Sequence, residues 1–394
     1  MARRTASPAV AAGQQQLAED ACATMQSLLE TVQGRPDPSA PRPSRQLLTA
    51  TSQRLRTEAA KVGLMFNAPQ PPSAADSEAL VRSLQNAAGS VCMVFMGAAG
   101  RGGPTLRQSV HSAAQRLVGA CQELVRGALL ENARGEALMH LVGRCLEQCD
   151  AVAKAPLDNK TAIGRAITQV LKTLADASRE LQDVAAEAEG GQAAGGADEP
   201  VANGTAAIAA AGQENGLCEH EGGFSDEDAD LACEALTAQQ AEVVRSVHAM
   251  LVSVSTLLKA VVRALLGAGT ALDGDSSGGA AASAALEEWE GLLFHVRALA
   301  TSAEDLAAAI YPPQDPDELE SAAEAVVNGC ELICEETPVE LAEEGHPPAD
   351  TGDAAGADAG TRPDSDHVQA LAAALEEVES AHRRLAAALE ECEG

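Results

Sequence analysis

One Trp, one Tyr and four Phe are the only aromatic residues in a chain of 394, and that scarcity constrains the fold more than any motif does. Hydrophobic residues still make up 46% of the chain, a share that sustains a buried core. That core must then be built from Leu, Val and Ala. Such side chains fill helix–helix seams well and line a ligand pocket poorly. Ala, Leu and Glu, the strongest helix formers, dominate, and no segment alternates with strand period. The reading is an all-α protein. At about 150 residues per domain the length fits two or three domains.

Caps and breakers place the helices. A first is expected over about residues 14–33, stopped by Gly34 and the Pro-rich stretch 35–43. Ser44 opens a second, to about Asn67. Ser73 with Asp76 opens a third, to about Met96, broken by the glycines of 97–103. Thr105 with Gln108 has the Ser/Thr-x-x-Glu/Gln form and opens a fourth that continues past Asn132 and Gly135 to Ala153. Asp158 caps a fifth, ending near Glu189. Residues 190–223 are then Gly, Ala, Asn and acid with almost no large apolar side chain, too little to bury for folding. Further helices are expected over about 225–266, 284–311, 315–336 and 364–392. Asp315 as N-cap with Pro316 at the first helical position gives the third of these a strong start. The expected architecture is two antiparallel helix bundles, of about five helices and then four, spanning 1–189 and 225–394 and joined by a flexible acidic linker at 190–224.

The last helix carries a strict zipper pattern. Val368, Leu371, Leu375, Val378, His382, Leu385, Leu389 and Cys392 are spaced 3, 4, 3, 4, 3, 4 and 3, an a/d seam of the coiled-coil kind. Val368, Leu371, Leu375, Val378, Leu385 and Leu389 are therefore the candidate partner-binding residues. Internal packing is the competing reading, since in a four-helix bundle the same seam would close the domain's own core. His382 is a pH-sensitive position on the seam or a His at its wet edge. The helix from about 225 carries a wider stripe, from Val243 and Val247 through Leu251 and Val254 to Leu265, as a bundle interior requires.

Charge is distributed unevenly. Residues 1–190 hold 20 Lys+Arg and 18 Asp+Glu, whereas residues 191–394 hold 7 and 40. Such an acidic half repels phosphate backbones and anionic membranes, so neither nucleic acid nor membrane is expected as a partner. The apolar stretch 243–266 is interrupted by Arg245, His248, Lys259 and Arg263 and is read as a core helix rather than a span. The basic start, Met-Ala-Arg-Arg-Thr-Ala-Ser-Pro, lacks the apolar region of a secretory signal. Ten scattered Cys then point to free thiols in a reducing compartment.

No Gly-rich phosphate loop, His-Glu-x-x-His or Gly-x-Ser-x-Gly occurs, so no catalytic residue, cofactor or metal is assigned. Cys145 with Cys149 and Cys330 with Cys334 sit at i, i+4 and would each supply half a metal site. No convincing second pair of ligands accompanies them, and core thiols are the preferred reading. Cys218-Glu219-His220 is taken as accidental. The carboxylate runs near 315–320, 335–344 and 376–379 are solvated faces. Ser225, followed by Asp226, Glu227 and Asp228, is read as the cap of the long helix, with phosphorylation by an acidophilic kinase as the functional alternative. Asn159-Lys160-Thr161 and Asn203-Gly204-Thr205 match the glycosylation acceptor by chance.

A family resemblance now becomes visible. Pro104-Thr105-Leu106-Arg107, Pro156-Leu157-Asp158-Asn159-Lys160, Ser225-Asp226-Glu227-Asp228 and the stretch from Glu304-Asp305-Leu306 to Ile310-Tyr311-Pro312-Pro313 follow in order. The chain resembles the cyclin-D-binding protein family (GCIP), the cyclin-D-interacting and Maid-like helix-loop-helix proteins, from about Ser44 to Cys392. It departs in its lengthened Gly/Ala/Asp linkers and sparse aromatics. The resemblance implies a two-domain helical regulator of cytoplasm and nucleus that binds D-type cyclins and restrains cell-cycle progression. It also implies an alternative, a dominant-negative helix-loop-helix regulator that sequesters transcription factors. The residues agree on one point, since acids rather than a basic helix precede the second set of helices, and DNA binding needs the basic helix. A talin- or vinculin-like cytoskeletal adaptor is the rival from another class, opposed by the acidic half.

Overall fold

The computed structural model describes residues 8–34, 42–194, 236–268, 272, 279–311, 314–338 and 363–393. Ten helices and no strand occur among them: α1 (Pro8–Gln33), α2 (Arg45–Phe66), α3 (Ala74–Ala99), α4 (Pro104–Leu129), α5 (Glu136–Ala153), α6 (Asn159–Ala194), α7 (Ala238–Gly267), α8 (Gly279–Ala308), α9 (Pro316–Glu336) and α10 (Pro363–Glu393). The fold is all-α. Most of the expected linker and the whole of Ser225–Asp228 lie outside the described residues.

Four of the expected starts are made by the side chains that announce them. Ser44 Oγ accepts the Leu47 amide at 3.1 Å. Ser73 Oγ accepts the Asp76 amide at 3.2 Å and donates to the Asp76 carboxylate at 2.6 Å. Asp158 Oδ1 accepts the Thr161 amide at 2.6 Å, and Asp315 Oδ1 that of Asp317 at 3.0 Å. Each satisfies an amide that the helix itself leaves without a partner.

Three expectations need correction. α7 begins at Ala238, not near 225. Its start is a capping box in which Thr237 Oγ1 accepts the Gln240 amide at 3.2 Å and Gln240 Oε1 accepts the Thr237 amide at 2.9 Å. Thr105 does not cap α4, because Gly103 is the N-cap and Pro104 takes the first turn. The expected fourth helix is two. Asn132 (φ 50°) and Gly135 (φ 61°) both take positive φ, and the Ala133 amide reaches back to the Gly127 carbonyl at 2.8 Å. The Glu131 amide also reaches the Arg126 carbonyl at 3.2 Å, and Asn132, in the left-handed region, turns the chain out of the helix. Gly135 sits at φ 61°, ψ −130°, a conformation essentially reserved for glycine. Asn67 fixes the turn, accepting the Gly135 amide at 2.6 Å.

Two compact units are distinguishable. The first gathers described residues of 1–170, 259–297 and 335–369. Within it α1 packs on α3 and α4, α2 on α3 and α5, and α4 on α3 and α5. The α2–α5 pair is antiparallel: Arg45 donates to the Ala153 and Ala155 carbonyls, Ser52 to that of Cys149, and Arg56 pairs with Asp150, while Asn67 meets Gly135 at the other end. Leu48, Leu55, Leu84, Leu117 and Leu124 are fully buried with Phe66 and Phe95. Each such leucine contributes about 1.5–3 kcal/mol relative to exposure.

The second unit gathers described residues of 171–258, 298–334 and 370–394. Its buried residues fall at helical spacing: Val243, Val247, Met250, Leu251 and Val254 on α7, Leu299, Ala303 and Leu306 on α8, Leu319, Val326 and Ile333 on α9. By length and composition alone α7 is apolar enough to cross a membrane, contrary to the reading that its charges interrupt it too often. The apolar stripe of α7, from Val243 to Leu265, is buried within the protein.

Candidate partner-binding site

The expected zipper is rotated. On α10 the buried positions are Leu371, Ala374, Val378, Ala381, Leu385, Ala388 and Leu389. The inward stripe thus pairs large residues with alanines at spacing 3 and 4. Of the six candidate residues, Leu371, Val378, Leu385 and Leu389 are buried, Leu375 is half-buried and Val368 is exposed. His382 is half-buried. Val368 and Leu375 are the two of the six that retain surface. Counting Ala as an apolar anchor would have found the rotation.

Two of the motifs that carry the family resemblance meet in space. Asn159, at the start of α6, is buried; its Oδ1 accepts the Gly103 amide at 2.8 Å and its Nδ2 donates to the Leu272 carbonyl at 3.0 Å. Lys160 donates to the Leu266 carbonyl at 2.6 Å. At the neighbouring start of α4, Glu290 of α8 accepts the Thr105 amide at 3.0 Å and the Thr105 hydroxyl at 2.6 Å. A carboxylate at a helix N-terminus meets both unsatisfied amides and the positive end of the macrodipole. Glycine at 103 leaves room for this contact, since a Cβ there would lie 2.6 Å from Glu290 Oε1 and 3.2 Å from Leu286, so one of these side chains would have to shift. With Asn159 buried and doubly bonded, the Asn159-Lys160-Thr161 acceptor is closed to glycosylation in the folded protein. No sequence spacing announces Glu290, which acts across 185 positions.

The surface that suits a partner lies at one end of the α2–α5 pair. Leu64 is 70% exposed, and Met65 and Met139 are also exposed. The Asn67–Gly135 bonds bring the end of α2 beside the start of α5, so these residues stand within a turn of the same junction. Exposed Met and Leu give an adaptable apolar contact. In the second unit, the motif ending in Ile310-Tyr311 buries Leu306 and Ile310 and leaves Tyr311 half exposed. Pro312 and Pro313 lie outside the described residues.

Among the described residues Cys22, Cys92, Cys121, Cys145, Cys149 and Cys330 are buried thiols. Cys121 Sγ and Cys145 Sγ are 3.6 Å apart and Cys149 is buried beside them. Burial pushes Cys92 up to about 11. Hydrogen bonding from Cys121 raises Cys145, and that from Cys145, aided by burial, raises Cys149. Cys330 is buried and raised by desolvation, and Cys334 is half-buried. No group of three or more His, Cys, Asp or Glu among the described residues is arranged to hold a metal ion. Cys218-Glu219-His220 lies outside them.

Among its described residues the protein is all-helical, with exposed apolar side chains near helix ends. Two family models match it, the N-terminal domain of the Grap2 and cyclin-D-interacting proteins over residues 47–187 and their C-terminal domain over 224–335. The chain belongs to this family, which is described by interaction and not by a reaction. Curated relatives include a cyclin-D1-binding protein 1 homolog of Danio rerio, 26% identical over 148 residues, and one of Xenopus laevis, 30% identical over 144. Each match covers 36% of this chain and 42% of the relative.

Proposed function

We propose that this protein binds a D-type cyclin and acts as a negative regulator of cell-cycle progression in the cytoplasm and nucleus. The observation that carries the reading is the presence, in order, of both family segments, with relatives named for binding cyclin D1. The two segments, 47–187 and 224–335, leave most of residues 190–224 between them. Leu64, Met65 and Met139 supply the exposed apolar contact that a partner helix needs. The helix-loop-helix alternative requires α10 to offer its seam to a partner, and the burial of Leu371, Val378 and Leu385 weighs against it.

The test is a calorimetric titration of the full chain with a D-type cyclin. Saturable binding that is lost in the Leu64→Asp, Met139→Asp double variant and kept in Val368→Asp supports the proposal. Absence of binding by the unaltered chain would sink it.

A further inference from the structure

The first unit carries a second surface of opposite character. A groove of about 510 Å³ runs between α4 and α6. Thr105, Ser109, Ser112 and Arg116 line one wall at helical spacing, and Ala162, Arg165, Ala166 and Gln169 line the other. Residues spaced this way share one face of a helix, so each helix presents a single stripe to the groove. Arg297 arrives from α8, seven residues beyond Glu290 and on the same face. Between the walls lie Ala155 and Pro156, small and buried.

The charge of this lining runs against that of the chain. The chain holds 58 Asp+Glu against 27 Lys+Arg, although residues 1–190, which supply all of the lining but Arg297, are close to balanced. Three arginines line the groove and no carboxylate does. Glu290, which touches the lining residue Thr105, has both oxygens engaged there. Arg116 and Arg165 are exposed, and neither pairs with a carboxylate among the described residues. Arg116 donates to Ser112 Oγ at 2.8 Å, one bond for a group with five donors. Guanidinium donors recognise carboxylates bidentately, and the hydroxyls and amides alongside suit a peptide backbone. Nucleic acid fits less well, since the lining has no aromatic side chain for base stacking and a long polyanion meets the repulsion of the whole chain.

We propose that the α4–α6 groove binds an acidic peptide segment of a partner protein, its carboxylates engaged by Arg116, Arg165 and Arg297. The assignment rests on the groove alone and does not depend on the cyclin reading.

The experiment is fluorescence anisotropy of the full chain with a fluorescein-labelled peptide rich in Asp and Glu. A counterpart carries Asn and Gln at the same positions. Saturable binding of the acidic peptide alone is expected, weakened about tenfold or more in the Arg116→Glu, Arg165→Glu double variant and weakened by salt. A control with the same charge change away from the groove, Arg54→Glu with Arg126→Glu, should bind as the unaltered chain does. All four positions are exposed, so helical content and melting temperature should hold. The proposal falls if the acidic peptide does not bind, if the groove variant binds as well as the unaltered chain, or if the control loses as much. Equal binding by the neutral peptide overturns it too, as does displacement by a single-stranded oligonucleotide at lower concentration than by unlabelled peptide.

Discussion

Glu290 caps a helix to which it is joined only by the fold: its two carboxylate oxygens accept the amide of Thr105 at 3.0 Å and its hydroxyl at 2.6 Å. The pairing links a residue of the first family segment to one of the second, and Gly103 leaves the space in which it forms. Replacing Glu290 by Ala should cost about 1–3 kcal/mol, because the buried Thr105 donors lose their acceptor. Gly103→Ala should destabilise as well by displacing the same carboxylate. Urea titration followed by circular dichroism measures both, and an unchanged midpoint for either variant would contradict this account.

The orientation of α10 can be checked by substitution on its two faces. Ala381 is wholly buried, so Ala381→Leu should overpack the second unit by about 1–3 kcal/mol. Leu385→Ala should cost about 2–5 kcal/mol. Val368→Ala, at an exposed position, should stay within about 0.5 kcal/mol. Were the zipper seam to face inward as written in the sequence, Val368 would rank with Leu385 in thermal melts.

Stability should fall in acid through Glu58. Its carboxylate accepts from Lys61 at 2.7 Å, and this bond, outweighing burial, holds it below the usual carboxylate range. A depressed folded pKa contributes stability above the unfolded value, and the contribution disappears as pH drops through the folded one. Lys61→Met should therefore flatten the loss of urea midpoint between neutral and acid pH. Lys61 is largely exposed, so solvent screening keeps the effect small.

Thiol chemistry separates the interior from the surface. Cys92, Cys145 and Cys149 are buried with raised pKa values, and the thiolate is the reactive form. Alkylation at mildly alkaline pH should spare all three in the native protein and modify them in urea, as peptide mass spectrometry would show. Rapid native labelling of Cys145 would mean that the first unit opens easily.

Much of the local structure is legible in the residues. Ser44, Ser73, Asp158 and Asp315 announce helix starts because a short polar side chain reaches amides two or three positions ahead. The missed break at Asn132–Gly135 depends on backbone angles that Asn and Gly permit without compelling, and Asn67, far away in sequence, selects them. Thr237 and Gln240 cap α7 reciprocally, and the Ser225 start lies outside the described residues. At the candidate sites the arginines and exposed methionines were legible only as residues. Their grouping around one groove or one helix end is a matter of which helices are neighbours.

By itself the sequence determined the class of fold, the family and the preponderance of acid in the second half. These follow from composition, periodicity and motifs, which act within a few turns of chain. Tertiary structure decided which face of α10 is buried, which carboxylate completes the start of α4 and which surfaces are left for a partner. Each of those depends on helices far apart in sequence competing for the same apolar contacts, and close packing admits one arrangement where periodicity alone admits several.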